Sequence, residues 1–464
     1  MKNYFKKIAA FLCKSWVWTL ILVVLAAIFI WFVGPLFSFA DYSIWESTDA
    51  RLLTICGLFL LWGLLVVFLS WRSSVRIKKV EDSEEGQERL RREEETESQQ
   101  KEISRRFKDA LYTLKSTSLY RKRSERWRSE LPWYVLIGPQ GSGKTSLLDF
   151  SGLDFPLNKI ERKLTRDTKG TLNCDWFFAE HGVLIDTAGR FLTQPDKPTD
   201  SSAWDTLLML LRKHRRSRPL NGVLVNIPID LLAKGGEQAL ERLGIQVRAR
   251  LQEIHQRLHI DVPVYLVLSK ADQLLGFNEF FDQLSREESE QVLGATFRKD
   301  QNGTDVTILR QELEKLLQRL NSQVILRMHQ ERDTARRGRV LDFPHQLAEI
   351  SERLCLFVDM AFTGNRYQRK TLLRGFYLTS APYLTETLDS NVAGIGSNLG
   401  IASSVLPTLH QGRSRFIHNL LSQVIFPEAV LAGLDKNEKR RINWGQRAIY
   451  LGAAAALSVF GIGW

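Results

Sequence analysis

The feature that most constrains this chain is a glycine-rich loop between a predicted strand and a predicted helix. In WYVLIGPQGSGKTSLLDF, residues 133–150, the residues from Trp133 to Ile137 form an apolar run with high strand propensity, and those from Ser146 onward have a helical pattern. The loop between them fits G-x-x-x-x-G-K-[ST]. A strand that leads through such a loop into a helix N-terminus predicts a phosphate-binding unit, whereas the alternative is an ordinary Gly-rich turn.

Each residue type in this phosphate loop has its own part in binding a nucleotide. Gly141 and Gly143 adopt backbone angles denied to other residues, so successive N–H groups reach the β- and γ-phosphate oxygens. Lys144 adds a mobile cation, and the Thr145 hydroxyl ligates Mg²⁺. The expected ligand is GTP or ATP with Mg²⁺, and the predicted binding residues of the loop are Gly138, Gly141, Ser142, Gly143, Lys144 and Thr145.

A D-x-x-G motif follows a later apolar strand. The sequence DTAG, residues 186–189, lies about 40 residues after the phosphate loop. In such a motif Asp186 holds Mg²⁺ through water, and the Gly189 amide contacts the γ-phosphate. The predicted metal ligands are therefore Thr145 and Asp186. The next residue is Arg190, where active GTPases often have a glutamine that positions the attacking water.

A third motif, SKAD at residues 269–272, follows another apolar strand and resembles the [NT]-K-x-D guanine-reading motif of GTPases. The Asp272 carboxylate is suited to accept hydrogen bonds from guanine nitrogens, and the Lys270 stem to lie over the base. Ser269 departs from the usual Asn or Thr, so base choice stays open, and a surface turn is the alternative. FYLTSA, residues 376–381, is a candidate for the base loop of the same site.

Two uncharged apolar segments precede the phosphate loop, at residues 15–40 and 52–71. Each is long enough to cross a bilayer as a helix. A cleaved signal peptide is the alternative for the first, but its apolar part is too long for one and a second span follows at once. Lysines and arginines flank the pair on its outer sides, whereas the loop between is mainly acidic, so both ends of the hairpin are expected in the cytoplasm.

A further uncharged segment, residues 448–464, follows a basic stretch. It resembles the entry to a third span, with a terminal amphipathic or buried helix as the alternative.

The net charge of +12 suggests anionic partners, either a membrane surface or nucleic acid. The basic run at residues 212–218 ends a predicted helix and has no aromatic interleaving, which disfavours nucleic acid. His255 and His259 share a helical face but have no third ligand nearby in sequence, so a metal site is not indicated. The four cysteines are widely spaced and predict reduced thiols: Cys13, Cys56, Cys174 and Cys355.

From Trp133 onward, alternating strands and helices predict an α/β P-loop NTPase fold, similar to a small GTPase, with a mostly parallel sheet. Residues 81–109 are rich in both charges and poor in apolar residues, so they are expected to form a solvated helix or linker. The predicted organisation begins with a transmembrane hairpin at 1–71, with spans at about 15–38 and 52–71, and a charged helical linker at 72–130. The α/β domain follows at 131–275, and a helical subdomain at 276–365 is inserted before its last strand at 366–385. A C-terminal helical region at 386–447 then leads to the start of a third span at 448–464.

Taken together, these features resemble the amino-terminal half of the IcmF/TssM family. The resemblance is carried by the hairpin, the charged linker, the basic approach to a third span and the motifs GPQGSGKTSLL, NCDWFF, LIDTAGR, LSKAD and RGFYLTS. Members of this family are inner-membrane components of bacterial type VI secretion systems. The resemblance covers essentially the whole chain. It implies a third span and a large periplasmic region beyond it, so the chain is expected to be a fragment or an early truncation.

The resemblance also implies partners and a location. It points to a scaffold in the bacterial inner (cytoplasmic) membrane, multi-pass and oligomeric, with its main domain in the cytoplasm. The implied partners are a DotU-like inner-membrane protein (TssL), an outer-membrane lipoprotein (TssJ) reached through the missing periplasmic part, and baseplate components on the cytoplasmic side.

Two hypotheses for function follow. In the first, the protein is a membrane scaffold whose cytoplasmic domain uses a bound nucleotide as a conformational switch or structural ligand. In the second, it is an NTPase, a GTPase or ATPase, whose turnover energises secretion. Arg190 and the lack of an evident catalytic base favour the first, and no residue is assigned a catalytic role. The intact loop, Asp186 and three threonines that are candidates to sense the γ-phosphate keep the second open: Thr165, Thr168 and Thr171.

Overall fold

A computed structural model of the chain describes most of residues 84–434 and parts of the two apolar segments that precede them. The described residues are 15–33, 47–81, 84–116, 131–156, 173–216, 218–298, 301, 303–364, 371–385, 408–410 and 413–434. The chain divides into two compact units, Met1–Glu95 and Thr96–Trp464. The predicted third span at 448–464 and the three candidate γ-phosphate-sensing threonines lie outside the described residues.

The first unit contains two helices that contact each other, α1 (Ser15–Val33) and α2 (Thr48–Glu81). The Trp62 indole Nε1 donates a hydrogen bond to Thr19 Oγ1 at 3.2 Å. Among the described residues, Thr48–Arg72 is the one helix that is long and apolar enough to cross a membrane, and it contains the predicted span at 52–71. The apolar part of α1, Thr19–Phe32, is shorter than a span, so the two-span hairpin stays a prediction.

The second unit is built on one large sheet with helices on its faces. The strands of this sheet are β1 (Trp133–Ile137), β2 (Cys174–Ala179), β3 (Gly182–Thr187), β4 (Gly222–Pro228), β5 (Pro263–Ser269), β6 (Leu293–Thr296) and β7 (Leu372–Leu378). The helices that follow α2 are α3 (Glu84–Ser116), α4 (Lys144–Asp149), α5 (Gly189–Thr193), α6 (Lys197–His214), α7 (Ile229–Lys234), α8 (Glu237–Leu258), α9 (Phe277–Phe281), α10 (Arg286–Glu290), α11 (Val306–Gln330) and α12 (Thr334–Phe362).

The sheet has seven strands in the order β2-β3-β1-β4-β5-β7-β6. The β2–β3 and β6–β7 pairs at its two ends are antiparallel, and the four pairs between them are parallel. The predicted mostly parallel sheet is therefore confirmed. Its central strands are continuous apolar runs because both faces of a parallel sheet are covered.

Successive residues of β1 point into two different cores. Trp133 and Val135 pack with helices of one face, including α3, α6, α8, α11 and α12. Tyr134 and Leu136 pack on the other face, with Leu147 of α4 and a cluster from the C-terminal segment. That cluster comprises Ile417, Leu420, Leu421, Ile425 and Phe426.

The predicted solvated linker differs from the structure over its second half. From Thr96 onward α3 belongs to the second unit, and its side chains enter the core. The buried positions recur every three or four residues and so line one helical face: Ile103, Phe107, Ala110, Leu111 and Leu114. The charged composition of residues 81–109 conceals this face, because only two of its members lie within that window.

The region predicted as a helical subdomain, 276–365, is also part of the same core. Helices α11 and α12 pack into the cluster that covers the first sheet face. The segment further contributes β6, an edge strand that pairs antiparallel with β7. The expected last strand within 366–385 is β7, which lies between β5 and β6.

The C-terminal region predicted as helical, 386–447, contains little regular helix where it is described. It has a π-helical turn at Leu420–Ile425 and a 3₁₀ turn at Pro427–Leu431. Short strand pairs also occur, with Gly433–Leu434 antiparallel to Ile260–Asp261. This segment covers the second sheet face, where α4 is only six residues long.

Candidate functional site

The predicted motifs meet at one edge of the sheet. The phosphate loop follows β1, DTAG closes β3, SKAD follows β5, and the TSA of FYLTSA follows β7. These four strands run parallel, so their carboxyl ends share an edge. β1 lies between β3 and β4 in the sheet. The helix after β1, α4, packs on the second face, whereas α6 after β3 and α8 after β4 pack on the first face. Open α/β sheets bind ligands at the point where neighbouring connections go to opposite faces.

The phosphate loop has the backbone that its glycines predict. Gly141 and Gly143 have φ angles of 73° and 77°, in the left-handed region that favours glycine. The Lys144 Nζ is turned back onto the loop and donates to the carbonyl oxygens of Gly138 and Pro139, both at 2.9 Å. Its third contact is Ser142 Oγ at 3.3 Å. The Lys144 ammonium thus lies over the phosphate loop, where a bound phosphate is also expected to lie.

Burial lowers the pKa of the Lys144 ammonium. The side chain is 6% exposed, and desolvation lowers its pKa from 10.5 to about 8, although the nearby Asp186 carboxylate opposes the shift. An anionic ligand at this position would favour the charged form and raise the pKa again.

The two predicted metal ligands are in contact. Thr145 Oγ1 donates to Asp186 Oδ2 at 2.5 Å, and Asp186 is fully buried. Among the described residues, no group of three or more His, Cys, Asp or Glu side chains is arranged to hold a metal ion. The pair instead fits Mg²⁺, which takes few protein ligands and completes its shell with water and phosphate oxygens.

Gly189 packs directly on the phosphate loop. A Cβ at this position would overlap the backbone N and Cα of Gln140, and it would also touch Pro139. Glycine is the residue that permits this approach, because it has no Cβ. The D-x-x-G turn therefore lies against the part of the loop that is expected to face the γ-phosphate.

The Arg190 guanidinium donates to three acceptors, which lie on α3, on α6 and just before β2. Its guanidinium donates to Gln99 Oε1 on α3 at 3.0 Å and to Asp200 Oδ1 on α6 at 2.8 Å. It also donates to Asn173 Oδ1, just before β2, at 2.5 Å. Asp200 and Asn173 are 2% and 7% exposed, whereas the Arg190 side chain is 26% exposed, so two of the three acceptors are buried and the guanidinium is partly open to water.

Two polar side chains fasten the loop to the neighbouring strands. The Ser269 hydroxyl and the Asn226 amide both donate to the Ser142 carbonyl oxygen at 2.7 Å. Ser269, the departure from the usual motif, therefore still connects SKAD to the phosphate loop. Asn226 belongs to none of the predicted motifs, and its one signal in the sequence is a polar residue near the carboxyl end of an otherwise apolar strand, GVLVNIP.

SKAD lies beside both the phosphate loop and the TSA turn. Lys270 has a φ angle of 57°, and its Cε lies 3.9 Å from the position that a Cβ on Gly143 would take. The Ser380 hydroxyl donates to Asp272 Oδ1 at 2.8 Å. The Ala271 amide donates to the Thr379 carbonyl at 3.0 Å. The candidate base loop at 376–381 thus adjoins SKAD, although the two are about 100 residues apart.

The basic run at 212–218 includes a residue that is not on the surface. Arg215 is 1% exposed, lies over the Trp133 ring at 4.9 Å and donates to the Leu131 carbonyl at 2.8 Å. It therefore supports the core and is not accessible to nucleic acid.

The fold and site define the second unit as an α/β domain in which a phosphate-loop motif, a D-x-x-G turn and SKAD share one sheet edge. A family model described as the IcmF-related N-terminal domain matches residues 197–453. The chain is also 38% identical, over 364 residues, to a protein named type VI secretion system component TssM1 from Pseudomonas aeruginosa (strain PAO1). The chain therefore belongs to the IcmF/TssM family of type VI secretion system components, as its motifs predicted.

The match to TssM1 covers 77% of this chain and 32% of that relative, so the chain spans about a third of the relative's length. The family model begins at residue 197, after the phosphate loop and DTAG. The case for a nucleotide site therefore depends on the geometry of the loop and its neighbours.

Proposed function

We propose that the α/β unit binds a nucleoside triphosphate with Mg²⁺ and uses it as a conformational switch within an inner-membrane scaffold. The observation that carries the proposal is the 2.5 Å contact between Thr145 Oγ1 and Asp186 Oδ2, which joins the phosphate loop to the D-x-x-G strand. Lys144 lies at the same sheet edge. Mg²⁺ between the triphosphate and this pair would neutralise phosphate charge, while the loop N–H groups and Lys144 bind the phosphate oxygens.

Arg190 favours a switch over a motor. Fast hydrolysis needs a side chain after the D-x-x-G glycine that orients the attacking water. Arg190 instead donates to Gln99, Asp200 and Asn173. Triphosphate binding is therefore better supported than rapid turnover, and the NTPase alternative requires this cluster to open.

Family membership and the apolar helix Thr48–Arg72 support the proposal that the protein is anchored in a membrane and works with partners there. We place the scaffold in the bacterial inner membrane as a multi-pass, oligomeric protein with the α/β unit in the cytoplasm. The proposed partners are a DotU-like protein (TssL), an outer-membrane lipoprotein (TssJ) and the baseplate. The α/β unit is the proposed docking site for the baseplate.

Direct nucleotide binding by the full chain in detergent tests this proposal. We expect Mg²⁺-dependent binding of triphosphates that Lys144→Ala abolishes, because the loop loses its cation. The exposed Lys213→Ala on α6 is the matched control and should bind normally. Competition should favour guanine over adenine, and Asp272→Ala should remove that preference, which a lost buried hydrogen bond of about 1–3 kcal/mol would account for.

Normal binding by Lys144→Ala would contradict the nucleotide site. Equal affinity for both bases, unchanged by Asp272→Ala, would mean that SKAD is a structural turn. Rapid turnover by the unaltered protein that Arg190→Ala stops would favour the NTPase alternative, whereas Arg190→Gln should leave binding intact.

A further inference from the structure

The Arg190 cluster joins the candidate γ-phosphate contact to a helix outside the nucleotide site. Arg190 directly follows Gly189, whose backbone packs on the phosphate loop. Adjacent Cα atoms are fixed about 3.8 Å apart, so a displacement of Gly189 is transmitted most directly to its neighbours in the chain, of which Arg190 is one. A change at the γ-phosphate therefore has a short covalent route to Arg190 and to the contacts of its guanidinium.

Two of the three acceptors are anchored within the sheet unit. Asp200 Oδ2 accepts from the Asp196 amide at 3.1 Å, which fixes the carboxylate at the start of α6. The Asn173 carbonyl accepts from the Ala188 amide at 2.8 Å, beside the D-x-x-G glycine. Gln99 differs from them, because it belongs to α3, and α3 continues N-terminally to Glu84.

Helix α3 contacts the unit in two chemically different ways. Its later part, around Ile103 and Phe107, is buried in the apolar core. Its earlier part is held by polar contacts: Thr96 Oγ1 donates to Thr199 Oγ1 at 3.4 Å, and Gln100 Nε2 donates to Ser202 Oγ. Hydrogen bonds weaken steeply when their geometry changes, so the earlier part can separate while the later part stays packed.

We infer that the Arg190–Gln99 contact couples the nucleotide state of the site to helix α3. When Gly189 follows the γ-phosphate, Arg190 shifts relative to Gln99, and the polar end of α3 is held or released. Coupling of this kind is reciprocal, so displacing α3 changes the relative affinity for tri- and diphosphate. The inference depends on the proposed function, because it assigns regulation to the same site.

The test compares two affinities and one helix signal in the full chain in detergent. GDP and GTPγS, with ADP and ATPγS in parallel, are titrated into the unaltered protein and into Gln99→Ala. Amide hydrogen exchange of residues 96–102 is measured in each state. We expect exchange there to differ between di- and triphosphate, and Gln99→Ala to reduce this difference. We also expect the substitution to change the ratio of the two affinities by about fivefold or more, the lower end of typical allosteric couplings.

Two further variants separate coupling from simple damage to the helix. Gln99→Glu keeps an acceptor for Arg190 and should preserve the affinity ratio. Lys108→Ala, exposed on the same helix, should change nothing. If Gln99→Ala binds both nucleotides with an unchanged ratio of di- to triphosphate affinity, the inference is overturned and the proposed function stands. A change of that affinity ratio in Lys108→Ala would have the same consequence. No binding by the unaltered protein would overturn the proposed function together with the inference.

Discussion

Lys144 is the residue at which this site has to change most when a ligand binds. Its ammonium already donates to the carbonyl oxygens of Gly138 and Pro139, so a phosphate must compete with the loop for it. Its pKa is lowered to about 8 by burial, so part of the population is neutral just above physiological pH. A neutral amine gives up most of the charge attraction that a phosphate needs.

We therefore predict that nucleotide affinity falls with pH above about 8. The free site loses the Lys144 proton as pH rises through about 8, whereas a bound triphosphate raises that pKa, so binding takes up a proton there. Affinity should be flat below pH 8 and fall by up to about tenfold per pH unit above it. Titration calorimetry at pH 9 in two buffers of different ionisation enthalpy measures the uptake, and pH 7 is the control. A constant affinity from pH 7 to 9.5 would contradict it.

The sequence predicts the residue types that the candidate site needs, but it does not predict the hydrogen-bond partners of Arg190. Lys144, Thr145 and Asp186 follow from what a phosphate and Mg²⁺ require, and the structure brings them together. The partners of Arg190 lie 10, 17 and 91 residues from it in the sequence, and the farthest of them, Gln99, is on α3. No local pattern records such a pairing, because it arises only when α3 packs on the sheet.

At the scale of elements, α3 is the helix whose structure differs most from what its charged composition predicts. Phe107 is fully buried, with ring centroids 6.1 Å from Trp133 and 5.9 Å from Trp176. Of the charged residues beside it, Lys108 and Asp109 are exposed, whereas Arg106 donates to Asp175 Oδ1 of β2 at 3.1 Å. Helix periodicity, counted through Leu114, would have revealed the apolar face that a count of charges did not.

We predict that Phe107→Ala lowers the free energy of unfolding of the second unit by about 3–5 kcal/mol, because it leaves a cavity under α3. Tyr112→Ala is the matched control on the same helix, since Tyr112 is 74% exposed. It should change stability by about 0.5 kcal/mol or less. Urea unfolding followed by tryptophan fluorescence is the measurement. Equal effects of the two substitutions would mean that α3 is the solvated linker that its composition suggests.

Regular elements with a long apolar signal were predictable, and short ones were not. The central strands are apolar runs, and α11 and α12 have clear helical periodicity. β6 is the four-residue LGAT, which has neither alternation nor strong propensity. The segment 413–434 covers the second sheet face because the six-residue α4 is too short to do so, and that requirement appears only once the sheet exists.

At the scale of the whole molecule, the segments that flank the sheet unit in sequence contact opposite ends of the candidate site. On the N-terminal side, α3 reaches the phosphate end through Gln99 and Arg190. On the C-terminal side, Arg415 forms a backbone bridge with Ser380, whose hydroxyl donates to Asp272 at the base end. The two ends of the candidate site are therefore each linked to a different flanking segment.

The membrane arrangement itself yields the remaining prediction. The basic residues before the first apolar segment and after the second, with a mainly acidic loop between them, predict that both ends stay in the cytoplasm. Reporter fusions after Trp71 and after Arg447 should both give a cytoplasmic signal, and a fusion at Ile44 should give a periplasmic one. As a control, replacing the basic residues before the first segment with glutamine should produce mixed orientation, since these charges supply half of the bias: Lys2, Lys6, Lys7 and Lys14. A cytoplasmic signal at Ile44 in the unaltered chain would refute the hairpin.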